Sequence, residues 1–397
     1  MSRLVVLMIT AFVDMVGLLI ILPLLPYYAV DLGGGGVAVG VLVAAYAVAQ
    51  LITAPLWGRV SDRFGRRPAI LISLGAAAIA YVIFGYAETL GVLLLSRLVQ
   101  GAGGGTTGVI QAYVSDVTAP IDRAKSLGWL SAATSAGVMV GPAIGSLTVQ
   151  WGTQAPGLIA AGLCVANMIF AWKFLRESHT PEAPEEGAPP PEASLAVISR
   201  VVREPTGPAP RLIWTYTLAM GAFQGMVAVL ALFLAFRFDI GEDTIGFVFL
   251  YTGFVSVVTR AVLLGRAVDL VGEERLSRVG MVLLLIGLAV LPFTANLAVL
   301  ALALALVPLG TAFTFPCVTS MLSQTVGKEG RGLYLGVQQS FGGMARIVGP
   351  IGAGWAGEHV GVGAPFWAAA VLVAATLAFS VSVAGPPAVQ RVGGRSA

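Results

Sequence analysis

Charge is scarce in this 397-residue chain: Asp, Glu, Lys and Arg together make up 11% of it, against about 25% in an ordinary soluble domain. So few polar side chains cannot cover a soluble surface, and the chain reads as a polytopic membrane protein. Cysteine and histidine are scarcer still. Cys164 and Cys317 lie in different apolar runs, and His179 and His359 lie in loops away from any carboxylate or thiol cluster. That excludes a disulfide framework and a metal-ligand spacing, so no metal or cofactor is expected. The sequence shows no nucleophile–base pair and no phosphate-cradling glycine loop, which argues against an enzyme and against ATP-driven work. A net charge of +3 is too small and too scattered to indicate a nucleic-acid partner.

What is present is apolar length. Hydrophobic residues make up 57% of the chain, and a bilayer core needs roughly 20 helical residues to cross. Twelve candidate spans follow, at about 4–29, 37–57, 67–87, 90–115, 126–150, 155–175, 211–236, 244–267, 277–294, 297–322, 332–356 and 365–385. Transmembrane β-strands would be short and polar at every second residue, so a barrel is excluded. The first run carries Asp14 and no clean cleavage site, and reads as a retained helix rather than a leader.

The basic residues set the orientation. Of 23 Lys and Arg, nineteen fall in the termini and alternate loops on the side of the N-terminus, one (Arg237) on the other side, and three (Arg97, Arg260, Arg346) inside spans. Such a bias places both termini in the cytoplasm, here of a bacterial-type inner (plasma) membrane.

Residues 176–210 break the pattern. Eight of the 35 are proline, Glu182, Glu185 and Glu186 cluster, and no run is long enough to span. This is a linker, within which Ser194–Arg203 forms either a surface amphipathic helix or a partly ordered loop. It divides a duplicated chain. GRVSDRFG at Gly58–Gly65 returns as GRAVDLVG at Gly265–Gly272, and Gly141–Pro142 returns as Gly349–Pro350. The offset drifts only from 207 to 209 along the copy. With six spans each, both copies enter the membrane from one side. The expected fold is all-α, with twelve transmembrane helices in two pseudo-symmetric bundles: residues 1–175 and 211–397 around the 176–210 linker. A substrate site is expected at the midplane between them.

Three motifs carry more than topology. The loop Gly58–Pro68, GRVSDRFGRRP, has Gly65 for a tight turn, Pro68 suited to a first helical turn, and Asp62, which a merely basic turn does not need. Span 5 places Gly128, Gly137, Gly141, Pro142 and Gly145 so that three glycines four apart share a face open to close helix approach. Pro142 has no N–H and releases the carbonyl of Val138, allowing a bend. Span 4 reads LLSRLVQGAGGG, with Arg97 and Gln100.

Together these resemble the major facilitator superfamily, and span 5 resembles the antiporter motif of its drug:proton antiporter branch, departing at Ser146. The first span, with Asp14, Gly17, Pro23 and Pro26, is similar to that of tetracycline-type exporters. The resemblance covers nearly everything but the linker. It implies that Gly58–Pro68 is a conformational latch. Asp62 would meet the start of span 11 near Arg331, Arg66 would lie between Asp62 and Asp116, and Asp269 would take the same role near Arg123 and Lys125. It also implies a proton-transfer role for Arg97.

Intramembrane charge costs about 2.5–3.5 kcal/mol on insertion scales, so each case asks for a reason. Asp14 is the only carboxylate deep in a span. It is either a proton carrier or a permanent partner of Arg97. Against it stand three arginines. Arg346 serves packing or the cavity, and Arg260 either snorkels or faces an anionic group. Gln100, Gln224 and Gln338 are further cavity candidates, with Gln50, Gln111, Tyr113, Tyr251 and Gln339 behind them, and Phe223, Phe313 and Phe315 as walls.

The expected function is secondary active transport. The leading form is proton-coupled efflux of small amphipathic molecules or drugs by a monomer in the lipid bilayer. The alternatives are a uniporter or importer of an anionic or zwitterionic metabolite on the same fold and, more remotely, a non-transporting receptor.

Overall fold

The computed structural model describes residues 3–119, 121–178, 191–327 and 330–382. His179, the glutamate cluster at 182–186, Lys328, Arg391 and Arg395 lie outside them. Helices occupy all twelve expected ranges. In chain order they are α1 (Arg3–Ile21), α2 (Leu25–Asp31), α3 (Gly36–Phe64), α4 (Arg66–Gly85), α5 (Leu90–Ala102), α6 (Thr106–Val117), α7 (Arg123–Val149), α8 (Ala155–Phe174), α9 (Pro191–Arg203), α10 (Pro208–Phe238), α11 (Glu242–Val258), α12 (Leu264–Val271), α13 (Glu273–Val290), α14 (Leu297–Thr325), α15 (Arg331–His359) and α16 (Ala364–Ser382). A one-turn π segment, Thr259–Leu263, joins α11 to α12. Among the described residues, nine helices are long and apolar enough to cross a bilayer. Span 4 falls short of that measure because it is divided, span 11 because its glycines with Gln338, Gln339, Ser340 and Arg346 make it less apolar, and span 12 because its described apolar part is short.

Local chemistry sets the ends. Thr89 and Asn296 cap α5 and α14, each accepting from the backbone N–H three residues on. Gly65 and Gly272, the closing glycines of the duplicated loop, both take positive φ, +102° and +80°. Only glycine does so without strain, which accounts for its place in both copies. Pro23 interrupts span 1 between α1 and α2.

Span 4 departs from expectation. It is not one helix but two, parted at Gly103–Gly105. Three glycines favour a break, but carbonyls freed at membrane depth need new donors. One stripe of α3 supplies them. Trp57 Nε1 donates to the Ala102 carbonyl at 2.6 Å, and Gln50 Nε2 to the Gly104 carbonyl at 3.2 Å.

The glycine face of α7 packs on α1. A Cβ at Gly137 would lie 2.5 Å from the Phe12 carbonyl oxygen, and one at Gly141 2.8 Å from that of Val16. Gly145 meets the Ile20 carbonyl the same way, while Gly128 is open. The pseudo-symmetric pair is α15 on α10, where Gly349 abuts the Gly221 carbonyl. The amphipathic helix in the linker does form, as α9. Its apolar face covers protein rather than lipid: Val197 and Val201 are buried with Ile213, Val337 and Phe341. Trp214 Nε1 donates to the Val201 carbonyl at 2.9 Å.

The two halves meet unequally. At the end away from the basic loops, α3 packs on α15 and α7 on α11, and one apolar core runs through both halves, from Ile20 and Val39 to Val229 and Phe366. At the basic end the cores are separate. Val6, Ile70 and Tyr113 belong to one half's cluster, and Ile213, Leu322 and Phe341 to another in the second half. The bundle is therefore shut at the far end and open at the basic end.

Candidate functional site

The opening leads to a cavity of about 950 Å³ between the halves. Spans 1, 2, 4 and 5 form most of its wall, and Gln224, Phe249 and Arg346 come from the second half. Leu22, Val43, Val138 and Phe249 are apolar; Gln50, Gln111, Thr134 and Ser135 are polar. The charged side chains on its wall are Arg97 and Arg346, and no carboxylate is among them. A second cleft of about 620 Å³ continues toward the basic end past Trp57, Arg66, Gln339 and Arg346.

Arg97 is 1% exposed. One of its guanidinium nitrogens donates to Gln100 Oε1, and the group sits over the Tyr46 ring with its carbon 5.0 Å from the centroid, a favourable cation–π geometry. Its Nε has no hydrogen-bond partner. Gln100 Nε2 donates to the Tyr81 hydroxyl at 2.9 Å, and Gln50 Nε2 to the Tyr46 hydroxyl at 3.1 Å. The chain Gln50–Tyr46–Arg97–Gln100–Tyr81 thus ties spans 2, 3 and 4 together beside span 1.

Asp14 is not on the cavity wall, contrary to expectation. It faces a side chamber of about 20 Å³ with Tyr46, Tyr81, Gln100, Gly103, Gly104, Thr106 and Thr107. That is room for about one water molecule. Met15, Leu18, Tyr46 and Thr107 line both spaces and form the partition. The three ion pairs among the described residues do not include Asp14, so the Asp14–Arg97 pair is not formed.

Three other cavity expectations are corrected. Gln100 lines the chamber, where its hydrogen bonds to Arg97 and Tyr81 hold it. Gln338 is fully buried between α14 and α15, accepting from the Thr319 hydroxyl at 3.3 Å, and its neighbour Gln339 lines the cleft instead. Arg260 is exposed on the π segment and lines neither space, which fits the snorkelling alternative and not the cavity one. Gln224 and Arg346 do line the cavity. Of the secondary candidates, Tyr113 is buried against the Arg176 carbonyl, and Tyr251 donates to the Ala301 carbonyl at 3.1 Å. Phe223 and Phe315 pack against each other and not on the cavity, and Phe313 is buried.

Sequence reasoning missed Tyr46, the residue that touches most of this site. Its signal was available: it stands one helical turn before Gln50 on span 2.

At the basic end, Arg66 lies between two carboxylates, 2.5 Å from Asp62 and 3.0 Å from Asp116. The Asp62 side chain is 63% exposed. Arg331 Nε donates to the Ser323 carbonyl at 2.9 Å, within its own half. Asp269 is exposed, at the rim of a crevice of about 890 Å³ inside the second half, and Gly58 faces open space. With this end open, the ion pairs and hydrogen bonds of the latch loop among the described residues stay within its own half.

Comparison with known proteins agrees with this architecture. A sequence model of the Major Facilitator Superfamily matches residues 7–263 and 212–396. The class C tetracycline resistance protein of Escherichia coli is 31% identical over 355 residues, covering 88% of each chain. Multidrug resistance protein 1 of Bacillus subtilis (strain 168) is 28% identical over 385 residues, covering 96% of each. Among solved structures, the human organic anion transporter TETRAN superposes with a TM-score of 0.69 at 24% identity, over 95% of this chain and 98% of that one.

Proposed function

Because the chain belongs to the Major Facilitator Superfamily, we propose that it is a proton-coupled exporter of small amphipathic molecules. It works by alternating access as a monomer in a bacterial-type inner membrane, with both termini cytoplasmic. One observation carries the reading: the intramembrane carboxylate Asp14 faces a water-sized chamber beside the central cavity and has no ion pair among the described residues. A group that must alternate between charged and neutral is best left without a permanent partner. The relatives named for multidrug and tetracycline resistance support the direction of transport.

The cycle follows from the geometry. In the state described, the basic end is open to the cytoplasm. Asp14 releases its proton past Tyr46 and Thr107 into the cavity, and substrate enters the same cavity. Closure would bring Asp62 to the N-terminus of α15, where the helix dipole and Arg331 favour an anion. The glycine face of α7, with Pro142, would carry the bend that opens the far end. There substrate leaves and Asp14 is protonated again. Arg97 is the neighbouring cation, whose charge an ionised Asp14 offsets and a protonated Asp14 does not.

The test is transport in liposomes under an imposed proton gradient. Asp14→Asn is expected to abolish gradient-driven flux while leaving substrate counterflow. Loss of both would mean that Asp14 serves structure, and loss of neither would reject coupling through it.

A further inference from the structure

The charge on the cavity wall points to the substrate. An arginine buried in a membrane protein is expected to be paired or hydrogen-bonded, because an unmatched buried charge is costly. Arg97 is 1% exposed, yet it has one modest acceptor in Gln100 and a buried Nε with none. Arg346 is half-buried on the opposite half and forms no ion pair among the described residues. Both border the same 950 Å³ space, whose lining holds no acid. The one acid of the neighbourhood, Asp14, is half-buried beside Tyr46 and lines a separate space of about 20 Å³, room for about one water molecule.

We infer that the molecules carried are amphipathic anions, held by their anionic group between Arg97 and Arg346 while their apolar part lies against Val43, Val138 and Phe249. This rests on the exporter reading of the cavity and sharpens it in two ways. The two arginines become specificity-determining residues, contributed one by each half, so the anion bridges the halves. Substrate and proton also do not compete for Asp14. The anion instead draws on Arg97, whose Nε has no partner, and its influence reaches Asp14 through Tyr46. A cation in this cavity would meet two like charges and no carboxylate on the wall itself.

The arginines differ in what can be tested. Arg97 is woven into the Tyr46–Gln100 network, so its removal also disturbs the chamber. Arg346 is the cleaner probe. The experiment is equilibrium binding to the purified full chain in lipid nanodiscs, with empty nanodiscs as blank. The ligands are three derivatives of one anilinonaphthalene frame bearing a sulfonate, an uncharged sulfonamide or a trimethylammonium group. The sulfonate should bind the wild type about tenfold or more tightly than the ammonium compound. Arg346→Gln should weaken the sulfonate about tenfold and the sulfonamide less than about twofold. Arg346→Lys, which keeps the charge but not the planar fork, should recover most of the loss.

Equal binding of the sulfonate and ammonium compounds would overturn the inference. So would an Arg346→Gln effect of the same size on all three ligands, or no effect on any. Binding needs no proton gradient, so the two readings fail separately. Sulfonate selectivity without gradient-driven flux would reject the exporter and keep the anion site. Gradient-driven flux of the ammonium compound with no charge preference in binding would do the reverse.

Discussion

The two ends of the molecule differ in what joins the halves. At the far end the halves interlock at backbone level. Gly40 of α3 lies against the Pro350 carbonyl of α15, and Gly246 of α11 against the Pro142 carbonyl of α7, the same arrangement in each copy of the repeat. Side chains add bonds across the halves. Glu358 accepts from Val37 N–H at 2.8 Å, Ser146 Oγ accepts from Gly246 N–H at 2.8 Å, and the Tyr27 hydroxyl donates to the Ile240 carbonyl at 2.8 Å. At the basic end, the described contacts of Arg66, Asp62 and Asp116 stay within one half and are partly or largely solvent-exposed. The far-end closure therefore rests on shape, whereas the closure proposed for the basic end would rest on charge. Shape closure is lost when volume is added, whereas charge closure is graded by salt and single substitutions. That difference suits a cycle in which two states lie within a few kcal/mol of each other.

The largest expected effect comes from adding volume at the interlock. A Cβ at Gly246 would meet the Pro142 carbonyl and come within 2.8 Å of Ser146 Oγ. Gly246→Leu should therefore cost about 1–3 kcal/mol in the shut state. A cysteine introduced at Leu22, on the cavity wall, should then react with a membrane-impermeant thiol reagent from the far side about tenfold faster or more. An unchanged rate would mean that the far end is not closed by this contact.

Next in size is the charge closure. Asp62→Asn should slow transport about tenfold. Because the Arg66 pair is exposed, its loss should lower stability by less than about 1 kcal/mol. Thermal unfolding beside transport rates checks both. A large stability loss with normal transport would place Asp62 in the fold and not in the cycle.

Smaller effects are expected from the bonds that trim the interlock. Glu358→Ala removes the acceptor of Val37 N–H at the start of α3, and Ser146→Ala removes a hydroxyl that accepts from Gly246 N–H and donates to the Glu242 carbonyl; each should cost about 0.5–1.5 kcal/mol of far-end closure. Their sum should be additive, since they lie on different helix pairs, and the same cysteine-labelling assay measures it. Smallest on transport but visible in stability should be Gln50→Ala. It leaves the Gly104 carbonyl without its side-chain donor and should lower the melting temperature by a few degrees, about 1 kcal/mol in stability.

Much of the fold was legible because its signals are local. Apolar length gave the twelve ranges, the charge bias gave a common side for the loops, and register-true repeats gave the two halves. The closing glycines Gly65 and Gly272 could be read because only one residue type suits their backbone. The site was less legible because its geometry depends on neighbours. Gln338 and Gln339 are one residue apart, which on a helix is a turn of about 100° and decides whether a side chain is buried or faces the cleft. The GAGGG stretch was visible, but it reads as a continuous span until Gln50 and Trp57 are seen to satisfy the carbonyls it frees. Asp14 stands apart from the cavity because of Tyr46, whose place beside it follows from how span 2 packs on spans 1 and 4. The sequence left Arg260 between a snorkelling and a cavity position, because hydrophobic pattern alone does not say which face of span 8 meets the cavity; it is exposed outside the cavity.

Coupling through Asp14 is the central claim. Its most direct test is the proton flux itself, followed with a pH-sensitive dye inside liposomes holding wild type or Asp14→Asn. Addition of a transported amphipath should provoke proton movement in the wild type and none in the variant, while both still exchange labelled for unlabelled substrate. Equal substrate-induced proton movement in the two proteins would contradict the account.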